Sequence, residues 1–130
     1  MKLLNKFKWV LFTLGYIGII FLLSFRPQIA VKKSWIIEVL YNGAHIPLYA
    51  MLGYFLFILF KHLRAGKMAF IYAIICGMLV AGADEFFQSF VPGRTSSVMD
   101  LGLDLIGINF GCWILLLMRS LNIGKNNADS

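Results

Sequence analysis

Charge is what this 130-residue chain has least of: 14% of its residues are charged and only six are acidic. Soluble domains carry about 25% charged residues, and a soluble enzyme could not cover its surface with so few. Disorder is excluded too, because disordered chains are poor in apolar residues. Cysteine is scarce. Cys76 and Cys112 both lie in apolar stretches, where a thiol acts as a small packing residue, and no pair sits in a loop suited to a disulfide. Missing as well are C-x-x-C, the P-loop, the dinucleotide G-x-G-x-x-G and the nucleophile elbow G-x-S-x-G. The common cofactor classes drop out with them, and no cofactor is expected. There is no internal repeat and no low-complexity tract.

What is present is apolar. The chain is 60% hydrophobic and 15% aromatic, with a mean hydropathy of +0.80. A bilayer crossing takes about 20 apolar residues, so at most four or five fit in this length. Four blocks stand out, at about 9–25, 44–60, 68–88 and 98–118. Lipid offers backbone groups no partner, so these blocks are expected to be helices. None alternates as a barrel strand would. The expected fold is all-α: a polytopic membrane protein with four transmembrane helices, 1–130 forming a single domain with a flexible tail at 120–130. The first block, with Lys2, Lys6 and Lys8 ahead of it, resembles a signal peptide in outline. Its apolar stretch is too long, however, and Leu23-Ser24-Phe25-Arg26-Pro27 offers no small-x-small cleavage site.

Basic residues set the expected orientation. Lys2, Lys6, Lys8, Lys61, Arg64, Lys67, Arg119 and Lys125 fall on one side, and Arg26, Lys32, Lys33 and Arg94 on the other. The positive-inside rule then puts both termini in the cytoplasm, in a multi-pass protein of the plasma membrane. The net charge of +6 is therefore an orientation signal. It is scattered over four junctions, unlike a nucleic-acid patch, so no nucleic-acid partner is expected. In loop one, Ser34-Trp35-Ile36-Ile37-Glu38-Val39-Leu40-Tyr41 reads as a short interfacial or re-entrant helix with Trp35 and Tyr41 at headgroup level. Asn42-Gly43 marks a break before the second span, whose first turns accommodate Pro47. Pro92-Gly93 marks a turn in loop three.

With this topology the unusual residues converge on the outer face. Arg26 ends the first span. His45 opens the second, with Tyr49 one turn on and on the same side of the helix. Asp84, Glu85 and Gln88 end the third and form one patch. Arg94 follows in the loop. Asp100 and Asp104 open the fourth, Asp104 about 6 Å deeper at 1.5 Å per residue. The opposite ends hold only Lys, Arg and His62. Ionisable groups at membrane depth cost about 2.5–3.5 kcal/mol each and mark functional sites by default. Four crowded carboxylates repel one another unless a proton or a cation lies among them. An acid, a base and a guanidinium together could hold or act on an anionic lipid headgroup. The catalytic candidates are His45, Asp84, Glu85 and Asp100; the ligand-binding set is Glu85, Gln88, Arg94, Asp100, Asp104, His45 and Tyr49.

Each of these has a plainer reading. Ser97-Val98-Met99-Asp100 matches a capping box. Glu85 and Arg94 could be an ion pair pinning loop three, His45 a helix-end hydrogen-bonder with Tyr49, and Arg26 an interfacial anchor. A metal at His45 lacks supporting ligand spacing such as H-x-x-x-H, and none is expected. Gly107-Ile108-Asn109-Phe110-Gly111 is a G-x-x-x-G that lets another helix approach, within the bundle rather than in a dimer, with Asn109 expected to face inward and bond across helices.

His45-Ile46-Pro47-Leu48-Tyr49 with Leu52-Gly53, the run from Asp84 to Asp100, and then Gly107 and Gly111 resemble the VanZ-like family of small bacterial membrane proteins. The motif E-x-x-Q-x-x-x-P-x-R-x-x-x-x-x-D over Glu85, Gln88, Pro92, Arg94 and Asp100 is fairly specific, and the resemblance covers most of the chain. Asp104 stands where the family usually has Asn, which adds a charge. The resemblance implies a protein of the cell envelope with an outward-facing site. The family's named member confers low-level resistance to the lipoglycopeptide antibiotic teicoplanin, by a mechanism not established. Three functions compete: a site that binds an anionic lipid-linked cell-wall precursor or the antibiotic, a hydrolase or transferase acting on a phospho-lipid, and a structural or partner-binding bundle. Membrane lipids are partners in each. A channel is disfavoured because no polar path continues inward beyond Asn109.

Overall fold

The four apolar blocks become four helices in the computed structural model, which describes residues 2–25, 43–92 and 98–128. They are α1 (Lys2–Ser24), α2 (His45–His62), α3 (Ala69–Gln88) and α4 (Val98–Ala128), with one 3-10 turn at Gly66–Met68 and no strand among the described residues. The expected interfacial helix around Trp35 and Tyr41, the Asn42 break and the capping serine Ser97 lie outside the described residues, as do Arg26 and Arg94. Pro47 is the third residue of α2. Backbone N–H groups there have no intrahelical partner to lose, so proline does not disturb the helix.

Three segments are long and apolar enough to cross a membrane: Lys6–Ser24, Gly66–Gln88 and Val98–Met118. Large apolar side chains point outward along them, among them Phe12, Leu22, Leu79 and Ile106. Apolar residues facing out on nearly every side are what lipid, not water, demands. This is a membrane protein. The second helix is shorter, with His45 at one end and Lys61 and His62 at the other, and it packs against each of the other three.

Small residues set how closely these helices approach. In α3, Ala69, Ala73, Gly77 and Ala81 recur every fourth residue and are all buried. Ile108 of α4 fills the space left at Gly77, where a Cβ would come within 2.9 Å of its side chain. Between α2 and α4, Gly53 lies against the Ile108 backbone, and Gly107 and Gly111 against the backbone of Ile46 and Ala50. The G-x-x-x-G is thus used inside the bundle, as expected. Aromatic pairs complete the packing of α1: Tyr16 meets Phe55 edge-on at 5.2 Å and Phe21 meets Phe87 at 5.8 Å. The Tyr16 hydroxyl also donates to the Leu48 carbonyl at 2.8 Å.

Asn109 departs from expectation. Its side chain is exposed and donates to its own helix, to the Leu105 carbonyl at 2.9 Å. Gly107 and Gly111, two positions to either side, turn their face of α4 toward α2. At 100° per residue, Asn109 is thereby rotated about 200° away from both.

The turn between α2 and α3 closes with Ala65 N–H donating to Phe60 O at 3.0 Å, and it holds Arg64 at φ 65°. A left-handed conformation costs a residue with a Cβ about 1–2 kcal/mol. Arg64→Gly is therefore expected to raise stability by about 1 kcal/mol, read as an upward shift of thermal unfolding in detergent. An unchanged or lowered midpoint would mean that contacts of the Arg64 side chain outweigh the strain.

Candidate functional site

The end of α1, the start of α2, the end of α3 and the start of α4 meet at one end of the bundle, so α1 and α3 run one way and α2 and α4 the other. Apart from Thr13, the buried polar side chains among the described residues lie there. Tyr49 and Asp104 have no exposed surface, Asp84 and Gln88 almost none, and His45, Glu85 and Ser24 are buried as well. Asp100 is half-buried in the first turn of α4, where a carboxylate complements the helix dipole.

Two hydrogen-bonded groups make up the cluster. In the first, the Asp84 carboxylate accepts at Oδ2 from three elements: Ser24 Oγ of α1 at 2.8 Å, Tyr49 OH of α2 at 3.0 Å, and Gln88 Nε2 of its own helix at 2.6 Å. Gln88 Nε2 also reaches Ser24 Oγ at 3.3 Å. Gln88 lies one turn beyond Asp84 and so stands over it on the same helix face. In the second group, His45 Nδ1 meets Asp104 Oδ1 at 2.8 Å. Tyr49 joins the two: its ring stacks on that of His45, 6.2 Å apart and 4° from parallel, while its hydroxyl serves Asp84. That is the expected consequence of His45 and Tyr49 sharing a helix face.

Three carboxylate oxygens in this region, Asp84 Oδ1, Asp100 Oδ1 and Asp104 Oδ2, are buried with no hydrogen-bond partner among the described residues. Buried charge of one sign is costly, and the described cluster sets four carboxyl groups against a single imidazole. With Asp104 ionised, His45 carries its proton on Nδ1, and Nε2 is the basic nitrogen of the neutral ring. A carboxylate that orients an imidazole in this way is the arrangement of a general base. Among the described residues, no three His, Cys, Asp or Glu side chains are grouped to hold a metal ion.

Of the expected site residues, His45, Tyr49, Asp84, Gln88 and Asp104 are joined by these contacts; Glu85 is buried beside Asp84, and Asp100 lies one turn above Asp104. Arg94 lies outside the described residues. Ser24 is a member that the sequence reading did not single out. Its signal was available: it is a hydroxyl closing an apolar span at the same membrane level as His45 and Gln88.

Tyr49→Phe removes a donor from a buried carboxylate without changing the shape of the ring. Hydrogen bonds to charged groups are worth about 1.5–3 kcal/mol, and a loss of about 2 kcal/mol is expected in a denaturant titration in micelles. No change would mean that the hydroxyl contributes nothing to holding α2 against α3.

No curated protein and no solved structure matches the chain. The match that does exist is to a family model, described as VanZ/LLP1, and it runs over residues 6–119, from the first helix past the last turn that Asp104 and the glycines of α4 occupy. With nearly the whole chain covered, every element of the polar cluster included, this protein belongs to the VanZ/LLP1 family.

Proposed function

We propose that this is a VanZ-like protein of the bacterial plasma membrane. In this reading all four helices cross the bilayer, with both termini in the cytoplasm and the polar cluster opening to the outer face. Its role there is to bind the polar head of a lipid-linked cell-wall precursor or of a teicoplanin-type glycopeptide, and so to lower susceptibility to the antibiotic. The observation that carries this reading is the gathering of Ser24, His45, Tyr49, Asp84, Gln88 and Asp104 from four helices at one end of an otherwise apolar bundle. Burying such groups in a membrane protein is expensive, and a site of action is the usual reason for it. The distribution of Lys and Arg supports the outward direction. Arg94, which lies between Gln88 and Asp104 in sequence, supplies the positive charge an anionic head requires.

The test is susceptibility to a teicoplanin-type glycopeptide in a strain where deletion of the gene changes it. Complementation by Glu85→Gln or Arg94→Ala, at membrane abundance matched to wild type, is expected to fail. Full restoration by both variants would overturn the reading.

The His45–Asp104 contact favours a second reading, a hydrolase or transferase acting on a phospho-lipid with His45 as general base and Arg94 holding the phosphate. Purified protein incubated with a lipid extract distinguishes the two. Turnover that His45→Gln abolishes supports catalysis, and no turnover between about pH 5 and 9 counts against it.

A further inference from the structure

Asn109 occupies an unusual position for a polar side chain. The membrane-crossing part of α4 is Val98–Met118, which places Asn109 about 16 Å from one end and about 14 Å from the other at 1.5 Å per residue. Against a hydrocarbon thickness of about 30 Å, that is the bilayer midplane. The side chain is exposed there, between Ile106, Phe110 and Trp113, which are 59%, 52% and 55% exposed. One amide hydrogen goes to Leu105 O; the second hydrogen and the carbonyl oxygen have no partner among the described residues. Hydrocarbon can supply none, and an unsatisfied polar group in it is costly.

A primary amide is self-complementary, offering a donor and an acceptor side by side. Two copies of this chain related by a two-fold axis along the membrane normal carry Asn109 at the same depth. Each amide can then donate to the other in a reciprocal pair. The surroundings suit such a contact. Ile106, Asn109, Phe110, Trp113 and Leu117 follow the i, i+3, i+4, i+7, i+11 spacing of a helix seam, and all five are exposed. Beside Asn109 is an open groove of about 450 Å³ lined by Phe70, Leu105, Ile106, Asn109, Phe110 and Trp113, large enough to receive an aromatic ring from a facing helix. The close-approach glycines Gly107 and Gly111 are already occupied by α2, so they are not available for this contact.

We infer that this face of α4 is a dimer interface, in which Asn109 of one copy bonds Asn109 of the other at the bilayer midplane and Phe110 and Trp113 pack around the pair. Polar pairs of this kind between transmembrane helices make dimers several-fold to tens of fold tighter.

The experiment reads energy transfer between full-length chains labelled at the C-terminus with donor or acceptor, in phosphatidylcholine vesicles over a range of protein-to-lipid ratios. Wild type is expected to associate, and Asn109→Leu to weaken association roughly tenfold. Asn109→Gln, which keeps the amide, is expected to retain most of it. Leu79→Ala on the exposed face of α3 serves as the control and is expected to leave it unchanged. Asn109 is exposed, so helicity and melting of Asn109→Leu should match wild type, which separates lost association from lost folding. Wild type showing only random-proximity transfer would overturn the inference. So would Asn109→Leu associating as tightly as wild type, or Leu79→Ala weakening association as much as Asn109→Leu.

Discussion

Replacing His45 by leucine while Asp104 stays in place is expected to cost about 3 kcal/mol, because a buried carboxylate loses the donor that satisfies it. Asp104 has no exposed surface, and His45 Nδ1 at 2.8 Å is its one hydrogen-bond partner among the described residues. Without the imidazole, the buried carboxylate is left with no hydrogen-bond partner among the described residues. Removing both, in His45→Leu with Asp104→Leu, is expected to recover most of the loss, because the cost lies in the orphaned charge rather than in the missing contact. A double-mutant cycle by denaturant titration in micelles measures this. If the double variant is as damaged as the sum of the singles, the two residues do not act as a pair. Asp104→Asn adds a finer comparison: it keeps an acceptor for His45 Nδ1–H and removes the charge. It is expected to change stability by less than about 1 kcal/mol. Activity lost on this change with stability kept would assign the extra charge to function.

The second large effect is steric. Gly111→Ala would drive a Cβ into the Ala50 carbonyl, within 2.7 Å of its carbon and 3.0 Å of Tyr54 N, and Gly53→Ala would do the same against the backbone of Ile108, 2.9 Å from its Cα. A crowding side chain can rotate aside; backbone cannot. α2 and α4 must therefore move apart, and each substitution is expected to cost about 3 kcal/mol, at the upper end for overpacking. Because α2 carries His45 and α4 carries Asp104, the separation also stretches the 2.8 Å contact and should impair the site at a distance. Gly15→Ala and Gly102→Ala are the controls. Nothing lies within 4 Å of a Cβ at either, and both should be neutral or gain about 0.5–1 kcal/mol. Equal damage at all four positions would show that glycine is needed for backbone reasons rather than for close approach.

Much of the site was legible in one dimension. Four apolar blocks imply antiparallel helices, and a polar residue near the end of a block is thereby assigned to one membrane face or the other. Asp84, Gln88, His45 and Asp104 could be grouped on that ground alone, and the one-turn spacing of His45 and Tyr49 put them on the same side of a helix. The partners within the group were not legible. Nothing in the spacing says that Tyr49, Ser24 and Gln88 converge on Asp84 while His45 turns to Asp104.

The division has a physical reason. Length, hydropathy and the asymmetry of Lys and Arg are properties of position along the chain, and they determined by themselves that this is an all-helical membrane protein with its acids gathered near one set of helix ends. The rotation of each helix about its own axis is another matter. In a soluble helix an apolar stripe reveals it; here lipid-facing and core-facing sides are both apolar, so no stripe exists to read. Only the packing of small residues decided it: Gly53, Gly107 and Gly111 between α2 and α4, and the Ala69-Ala73-Gly77-Ala81 row of α3. That rotation turned Asp104 inward to His45, brought Ser24 over Asp84, and left Asn109, expected inside, facing out.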